Sequence, residues 1–512
     1  MRLPVSKPKI VFITLICLFR ISTAHSQPLL QSLNHIFIEN ELVGMNVVVV
    51  KKGIVIDTLS FGLSDVSRNI PATCDTKFRV ASVSKMITTI ALMQLYQQKL
   101  FQLDDDISNY LGYEVRNSYY PDVPITFRML LTHTSGIHDG DGYNNKFIPA
   151  CFRGDTLPPS LQELLQPGGK FFTPDIFYEK KPGDFFSYAN LNFVILGTLV
   201  EKISGERFDQ YCLSHILKPL EMNASFDVHD ISEMNKIGVL YETDSSGNLQ
   251  AAKDDYKGVA PAKRDLSQYR PGLNAMIFSP NGGLRCSPND LARLMQMEMN
   301  NGNMDSISIL NSASMTEIKK MQWLTNGNAG EDNGGNYLAW GLGLHEILGE
   351  FCKDEIFRNH RMMGHSGDAY GLLSDIYFDN EKNGIIFICN GARKNYRTGI
   401  FSEFYRVEEE VFGAIYQSDF APEWENSPAE NEPVFIAKFD GIKKQINLIL
   451  YNNSEQTYSI QIYGADGTRV FKAPVSSFHA TISVGTLEAG IYFLAVTGAR
   501  GLTARQKICI GY

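Results

Sequence analysis

The chain has 512 residues, 44% of them hydrophobic, and a formal net charge of -9. Such a length builds two domains, each with its own core. No block of Lys and Arg stands out, which excludes nucleic acid as an expected partner, and the acidic balance predicts little beyond solubility.

Arg2, Lys7 and Lys9 precede an apolar run over 10–19. That run is too short to span a bilayer comfortably. Ala24, His25 and Ser26 then supply the small residues that signal peptidase favours. Residues 1–26 therefore read as a cleaved export signal. Cys17 follows Leu15-Ile16 rather than small residues, so no lipoprotein anchor is expected. No later segment is long and apolar enough to cross a membrane. Of eight cysteines, seven remain after cleavage, an odd and scattered set that is no disulfide framework. Export permits a bridge or two, which the sequence does not assign. No CxxC or HExxH occurs, and the ten histidines show no metal-ligand spacing. Neither metal nor cofactor is expected.

The first strand is predicted over the β-branched run 45–50. Lys51-Lys52-Gly53 turns the chain into a second strand over 54–61, making a hairpin. A helix follows in which Met86, Ile87, Ile90, Ala91 and Leu95 recur at helical spacing, with Ser82 at its start. A short helix over 127–131 is closed by Thr132-His-Thr-Ser-Gly136. Residues 139–181 are rich in Gly, Pro and aromatics and show little periodicity. A helix over 191–204 ends at Gly205, a strand is predicted over 385–389, and a polar helix over 402–416. Strands at both ends with helices between predict one sheet with helices packed on it, an α/β (α+β) domain over 27–420.

Three short motifs carry chemistry. Ser82 and Lys85, spaced as SxxK, share one helical face one turn apart. A lysine there takes the serine proton if a dry pocket lowers its pKa. The helix N-terminus adds N–H groups that favour developing negative charge. The spacing is not rare, since Ser6 and Lys9 repeat it inside the export signal. Tyr188-Ala-Asn190 is a Tyr-x-Asn, which also occurs at Tyr143 and Tyr451. His365-Ser366-Gly367 leads toward a strand that includes 375–378.

With these in order, the stretches Phe78-Arg-Val-Ala-Ser-Val-Ser-Lys85, Leu130-Leu-Thr-His-Thr-Ser-Gly-Ile137, Pro182-Gly-Asp-Phe-Phe-Ser-Tyr-Ala-Asn190, Asn281-Gly-Gly-Leu284, Trp340-Gly-Leu-Gly343 and Gly364-His-Ser-Gly367 resemble the serine β-lactamase-related family. That family includes class C β-lactamases, D-alanyl-D-alanine carboxypeptidases, D-aminopeptidases and some esterases. The resemblance covers about residues 29–417. It implies a β-lactamase/transpeptidase-like fold, an antiparallel sheet flanked by helices plus a helical region, with the site between. It implies Ser82 as nucleophile, Lys85 as its base, and Tyr188 as a proton relay that needs a depressed phenol pKa. It implies that Asn190 binds the substrate amide, that His365, Ser366 and Gly367 line the cleft, and that the N–H groups of Ser82 and Asp368 form the oxyanion hole.

Two departures bear on substrate. Many β-lactamases carry Lys where His365 stands; His holds its charge only partly at neutral pH, so it grips a carboxylate less firmly. Asp368 stands where small residues are common and would repel anions or favour a free amine. His133 and Ser135 read as loop-closing residues, and Arg393 as a solvated arginine, with contact to a substrate carboxylate as the alternative.

The acidic, Pro-containing stretch 421–433 reads as a linker. Seven short β-rich runs follow, at 434–439, 446–451, 457–463, 468–472, 479–484, 490–496 and 503–510, with a turn signal at Asp466-Gly467. They predict a small Ig-like β-sandwich over 434–512. Asp466-Gly-Thr-Arg-Val470 and Leu487-Glu-Ala-Gly-Ile-Tyr-Phe493 resemble the C-terminal sorting domains of the type IX (Por) secretion system, without the Pro-Asn-Pro opening usual there. That implies secretion machinery as a partner, and a periplasmic, cell-surface or secreted location. The expected activity is hydrolysis through an acyl-enzyme, by a peptidase or amidase on D-amino-acid-containing cell-wall-type peptides. The rivals are an esterase or β-lactamase with the same site, and a non-catalytic penicillin-binding-type sensor.

Overall fold

The computed structural model describes residues 26–154, 157–325, 330–331, 337–348, 356–357, 360–400 and 402–420, and seven strands with adjoining turns between 435 and 510. The export signal, apart from Ser26, the linker and the Asp466-Gly467 turn lie outside the described residues.

The hairpin forms as its sequence predicts, with strands Gly44–Lys51 and Ile54–Asp65. Its turn is made by Lys52 and Gly53, at φ 52° and 81°, the left-handed pair that matches strand twist. Gly44–Lys51 then pairs antiparallel with Gly384–Cys389, in register Met45 with Cys389 and Val49 with Ile385. The two ends of the domain are thus neighbouring strands. From there the sheet runs through Leu372–Phe378 and Met362–Ala369 to three short edge strands, His345–Ile347, Ala339–Trp340 and Trp323–Leu324. Every pairing is antiparallel.

Alternation along the central strand divides the core. Val47 and Val49 pack with Leu29, Leu33, Val407 and Val411, from the helices Ser26–Glu39 and Arg406–Ile415 on one face. Val48 and Val50 pack with Met86, Ile90, Leu291 and Met295 on the other. Successive side chains of a strand point to opposite faces, so one valine run serves two layers.

Two helices form the centre of the second layer. Ser84–Gln97 is buried from Ser84 to Leu95, and Asn190–Ser204 from Leu191 to Glu201. The apolar spacing after Ser82 predicts a one-sided helix; instead the polar positions Thr88 and Gln94 are also covered, and each bonds a backbone carbonyl, of Pro280 and of His215 and Ile309. Asn190–Ser204 ends at Gly205, φ 76°. The predicted helix over 402–416 starts later, as Arg406–Ile415, and runs on as a π-helix over Tyr416–Phe420.

The C-terminal strands form a three-stranded sheet, Phe435–Asp440, Gln445–Leu450 and His479–Ser483, and a four-stranded one, Arg469–Val475, Tyr458–Gly464, Gly490–Thr497 and Thr503–Ile510. Ile446, Leu448, Ile460, Ile462, Leu494 and Val496 share one core, so the two sheets make a small β domain. Of the seven cysteines beyond the export signal, the five whose state is described, Cys74, Cys151, Cys212, Cys286 and Cys389, carry free thiols.

Candidate active site

Ser82 sits in a single 3-10 turn, Ala81–Val83, before the buried helix. Its side chain caps neither the turn nor the helix, which opens at Ser84. The turn is tied down on all sides. Val80 N–H donates to the Leu284 carbonyl at 3.0 Å, Leu284 N–H donates to Ser84 Oγ at 3.0 Å, and Ser374 Oγ donates to the Val80 carbonyl at 3.0 Å. These bonds hold Ala81 at φ 45°, a conformation alanine adopts only when its surroundings impose it.

Lys85 follows one turn later and is fully buried. Its Nζ donates to Ser82 Oγ at 2.9 Å, Asn190 Oδ1 at 2.9 Å and the Asn281 carbonyl at 2.8 Å. Burial lowers its pKa to about 7, and the Asp139 carboxylate opposes that shift. An ammonium loses more solvation than an amine on burial, which is why the shift runs downward.

Asp139 also sets the second motif. Its Oδ2 accepts from the Asn190 N–H and from Asn190 Nδ2, at 2.9 and 3.0 Å, and its Oδ1 accepts from the Leu191 N–H at 2.9 Å. It therefore caps the Asn190–Ser204 helix from a distant loop and fixes the Asn190 amide so that its oxygen faces Lys85.

Tyr188 lies beside Lys85, whose Nζ is 5.0 Å from its ring centroid. Its ring stacks with His133 at 4.3 Å and with Tyr337 at 5.2 Å. The relay role expects a depressed phenol pKa. Burial instead pushes this phenol well above its ordinary range, with Ser82 close enough to oppose the shift slightly. Its covered hydroxyl forms no well-made hydrogen bond among the described residues, so Tyr188 rests as a neutral phenol.

The His-Ser-Gly segment lies on the strand Met362–Ala369. His365 is fully buried against Trp340, ring centroids 5.6 Å apart, and 6.2 Å from Tyr188. Burial and the Lys85 charge lower its pKa to about 3. It is neutral at physiological pH, not partly charged, and its Nδ1–H donates to the Ser366 carbonyl at 2.6 Å. Gly367 meets the serine turn: a Cβ there would lie 2.7 Å from the Val80 carbonyl and 3.1 Å from Ala81 Cβ. Asp368 is exposed, and its carboxylate accepts from the Tyr405 hydroxyl at 3.0 Å. The cleft over Ser82, about 400 Å³, is lined by Asn190, Asn281, Gly282, Asp368, Ala369 and Tyr370 among others.

The structure thus gathers Ser82, Lys85, Tyr188 and Asn190, sets Gly367 behind the serine, buries His365 against Trp340 and leaves Ser366 half-buried. His133 and Ser135 close a buried loop: Ala189 N–H donates to His133 Nδ1 at 3.1 Å, and Ser135 Oγ donates to Asn192 Oδ1 at 2.8 Å. Arg393 is exposed and does not line the cleft. The sequence reading misses Asp139, which sits in the aperiodic segment, the Asn281 carbonyl, which no side-chain pattern reveals, and Tyr337.

An antiparallel sheet with a helical layer, and a Ser–Lys pair where that layer begins, defines the class of transpeptidase-like serine hydrolases. The chain belongs to the Beta-lactamase family, whose match covers residues 28–399. Residues 442–511 match the secretion system C-terminal sorting domain, which marks the protein for export to the cell surface or beyond. No helix among the described residues is long and apolar enough to cross a membrane. "Protein flp" of Staphylococcus aureus (strain MW2) is 26% identical over 203 residues, 40% of this chain and 38% of its own. The chain spans about two fifths of the length of the curated relatives it matches. The octameric penicillin-binding protein homologue from Pyrococcus abyssi superposes with a TM-score of 0.58 at 20% identity, over 94% of this chain and 96% of that one. The D-amino acid amidase from Ochrobactrum anthropi SV3 superposes at 0.54 and 21%, over 77% and 99%. At such identities these structures establish the fold alone.

Proposed function

We propose that the protein is an exported serine hydrolase that works through an acyl-enzyme on Ser82, acting on amide bonds of D-amino-acid-containing peptides. One observation carries this reading: the buried Lys85 amine lies 2.9 Å from Ser82 Oγ with a pKa lowered to about 7. Near neutral pH a large fraction of it is the free amine, a base matched to the working pH.

The geometry supports acylation followed by hydrolysis. Ser82 Oγ gives its proton to Lys85 Nζ as it attacks the scissile carbonyl carbon. N–H groups at the turn and at Asp368 meet the oxyanion. Collapse breaks the C–N bond, and the departing amine takes a proton from the neutral Tyr188 phenol, which Lys85 ammonium restores. Water, deprotonated along the same route, then hydrolyses the Ser82 ester and returns the proton to Ser82. The high phenol pKa suits Tyr188 to donate, not to serve as the resting base. Asn190, held by Asp139, is placed to bond the substrate amide.

Neutral His365 leaves this site without the fixed cation of many β-lactamases, which favours a peptidase or amidase over a dedicated β-lactamase. The amidase among the structural neighbours is consistent with that choice. A panel of D- and L-amino acid amides, D-Ala-D-Ala peptides and simple esters tests it, with Ser82→Ala as control. Hydrolysis of D-amides or D-peptides by the wild type alone is expected. Activity on esters only would shift the assignment to an esterase, and no turnover or acylation at all would leave the binding-module reading.

A further inference from the structure

The cleft over Ser82 continues past the nucleophile into a second cavity of about 260 Å³; the two share Arg79, Phe152, Lys253 and Ser279. At this junction two cations from separate elements converge on one ring. Arg79, on the short strand Phe78–Arg79, has its Cζ 5.9 Å from the Tyr370 centroid. Lys253, at the end of the strand Leu249–Lys253, has its Nζ 5.2 Å from it.

Neither cation makes a salt bridge among the described residues. Among the described residues the Arg79 guanidinium makes a single hydrogen bond, from Nε to the Gly282 carbonyl at 3.2 Å. The neighbouring acid is committed elsewhere: Asp254 holds Arg285 in a buried two-pronged pair at 2.7 and 2.8 Å. Asp368, also on the cleft, is held by Tyr405. Burial lowers the pKa of both Arg79 and Lys253; the Arg285 charge adds to the shift at each and Arg79 adds to that of Lys253, while Asp254 opposes both. Three cations, Arg79, Lys253 and Arg285, thus share the single Asp254 carboxylate, which is bonded to Arg285; the excess positive charge raises the energy of the empty site, and an arriving anion relieves it. Lys263 and Arg264 line the adjoining cavity together with one acid, Asp227, so the lining stays net positive in a protein of net charge -9. With His365 neutral, this junction is where the cleft offers fixed positive charge.

We propose that Arg79 and Lys253 form an anion subsite at the far end of the Ser82 cleft, and that the substrate carries a carboxylate that docks there while its scissile carbonyl meets Ser82. This rests on the acyl-enzyme reading above and names a substrate class within it: acidic acyl compounds, with the carboxylate remote from the bond broken. Tyr370, on the turn that closes the Met362–Ala369 hairpin, holds both cations within cation–π distance of its ring.

The test compares p-nitrophenyl monoesters of succinic, glutaric and adipic acid with the same compounds capped as methyl esters. The wild type is expected to prefer the free acid of at least one length by about tenfold in kcat/KM, roughly the strength of one partly desolvated charge contact. Lys253→Glu is expected to collapse that ratio to one or below, Lys253→Arg to keep it, and rising salt to erode it. Because each ratio is taken within one protein, general damage cancels. A wild-type ratio near one at every length, or a ratio untouched by Lys253→Glu, overturns the subsite. If the wild type hydrolyses none of the esters, the acyl-transfer reading is what fails. The subsite is then read by calorimetry with adipate on the Ser82→Ala protein, where binding lost in Lys253→Glu supports it and no binding overturns it.

Discussion

Lys85 Nζ lies 2.9 Å from Ser82 Oγ and, among the described residues, has no carboxylate bonded to it; its other partners are the Asn190 amide oxygen and the Asn281 carbonyl. Neutral acceptors hold a lysine in place without restoring the charge stabilisation that burial removes. The contact therefore joins the nucleophile to an amine that is already partly deprotonated at neutral pH.

The pH dependence follows. A base must be unprotonated, so kcat/KM should rise with pH through about 7, where Lys85 titrates, and level off above it. A rising limb near pH 10, where an ordinary lysine titrates, would show the amine to be unperturbed.

The same shift opposes folding. Lys85 has a folded pKa below its unfolded value of 10.5. Between about pH 7 and 10.5 the unfolded chain binds the extra proton, so this contribution to stability rises with pH across that window and is lowest below it. Lys85→Met should abolish hydrolysis yet melt higher than the wild type at pH 7, with the gap narrowing toward pH 10. An inactive variant that melts lower at all pH values would contradict the assignment of strain to this group.

Asp139 links two motifs that lie far apart in the chain. Its carboxylate caps the Asn190 helix, aims the Asn190 amide and raises the Lys85 pKa. Asp139→Asn should move the acidic limb of the pH profile to lower pH and reduce kcat by about tenfold through the misplaced Asn190. A fall in activity with the limb unmoved would assign Asp139 a purely structural role.

Much of this was legible in the chain itself. The hairpin, the helix over 127–131 and the seven C-terminal strands follow from β-branched runs, turn residues and periodicity, because local sequence decides them. Helix Asn190–Ser204 was legible to its final glycine for the same reason. The surfaces of the site were not. His365 is neutral because Trp340, His345 and Lys85 surround it, and those neighbours come from other strands and helices. Tyr188 is likewise raised by burial beside Tyr337, which no motif marks. Spacing locates a titratable group, whereas its ionisation depends on everything packed against it.

Gly367 illustrates a constraint of contact. A Cβ there would fall 2.5 Å from Ser374 Oγ and 2.7 Å from the Val80 carbonyl, against the turn that carries Ser82. Gly367→Ala should push that strand from the nucleophile and reduce kcat/KM by about a hundredfold, the scale of losing one oxyanion donor, with a lower Tm. Wild-type kinetics in this variant would show that the strand does not set the position of Ser82.

The site residues all precede the C-terminal β domain. Deleting 442–511, the segment matching the sorting domain, should leave kcat/KM of the purified enzyme unchanged while the protein fails to leave the producing cell. Secretion of the truncated chain at the normal rate would remove the sorting role.

The most direct test of the central claim is the intact mass of the protein after brief exposure to benzylpenicillin and to an activated ester of N-acetyl-D-alanine. A gain of one acyl group on the wild type, mapped to Ser82, is expected, and none on Ser82→Ala. An equal gain on Ser82→Ala, or a wild type that neither gains mass nor consumes either reagent, would contradict it.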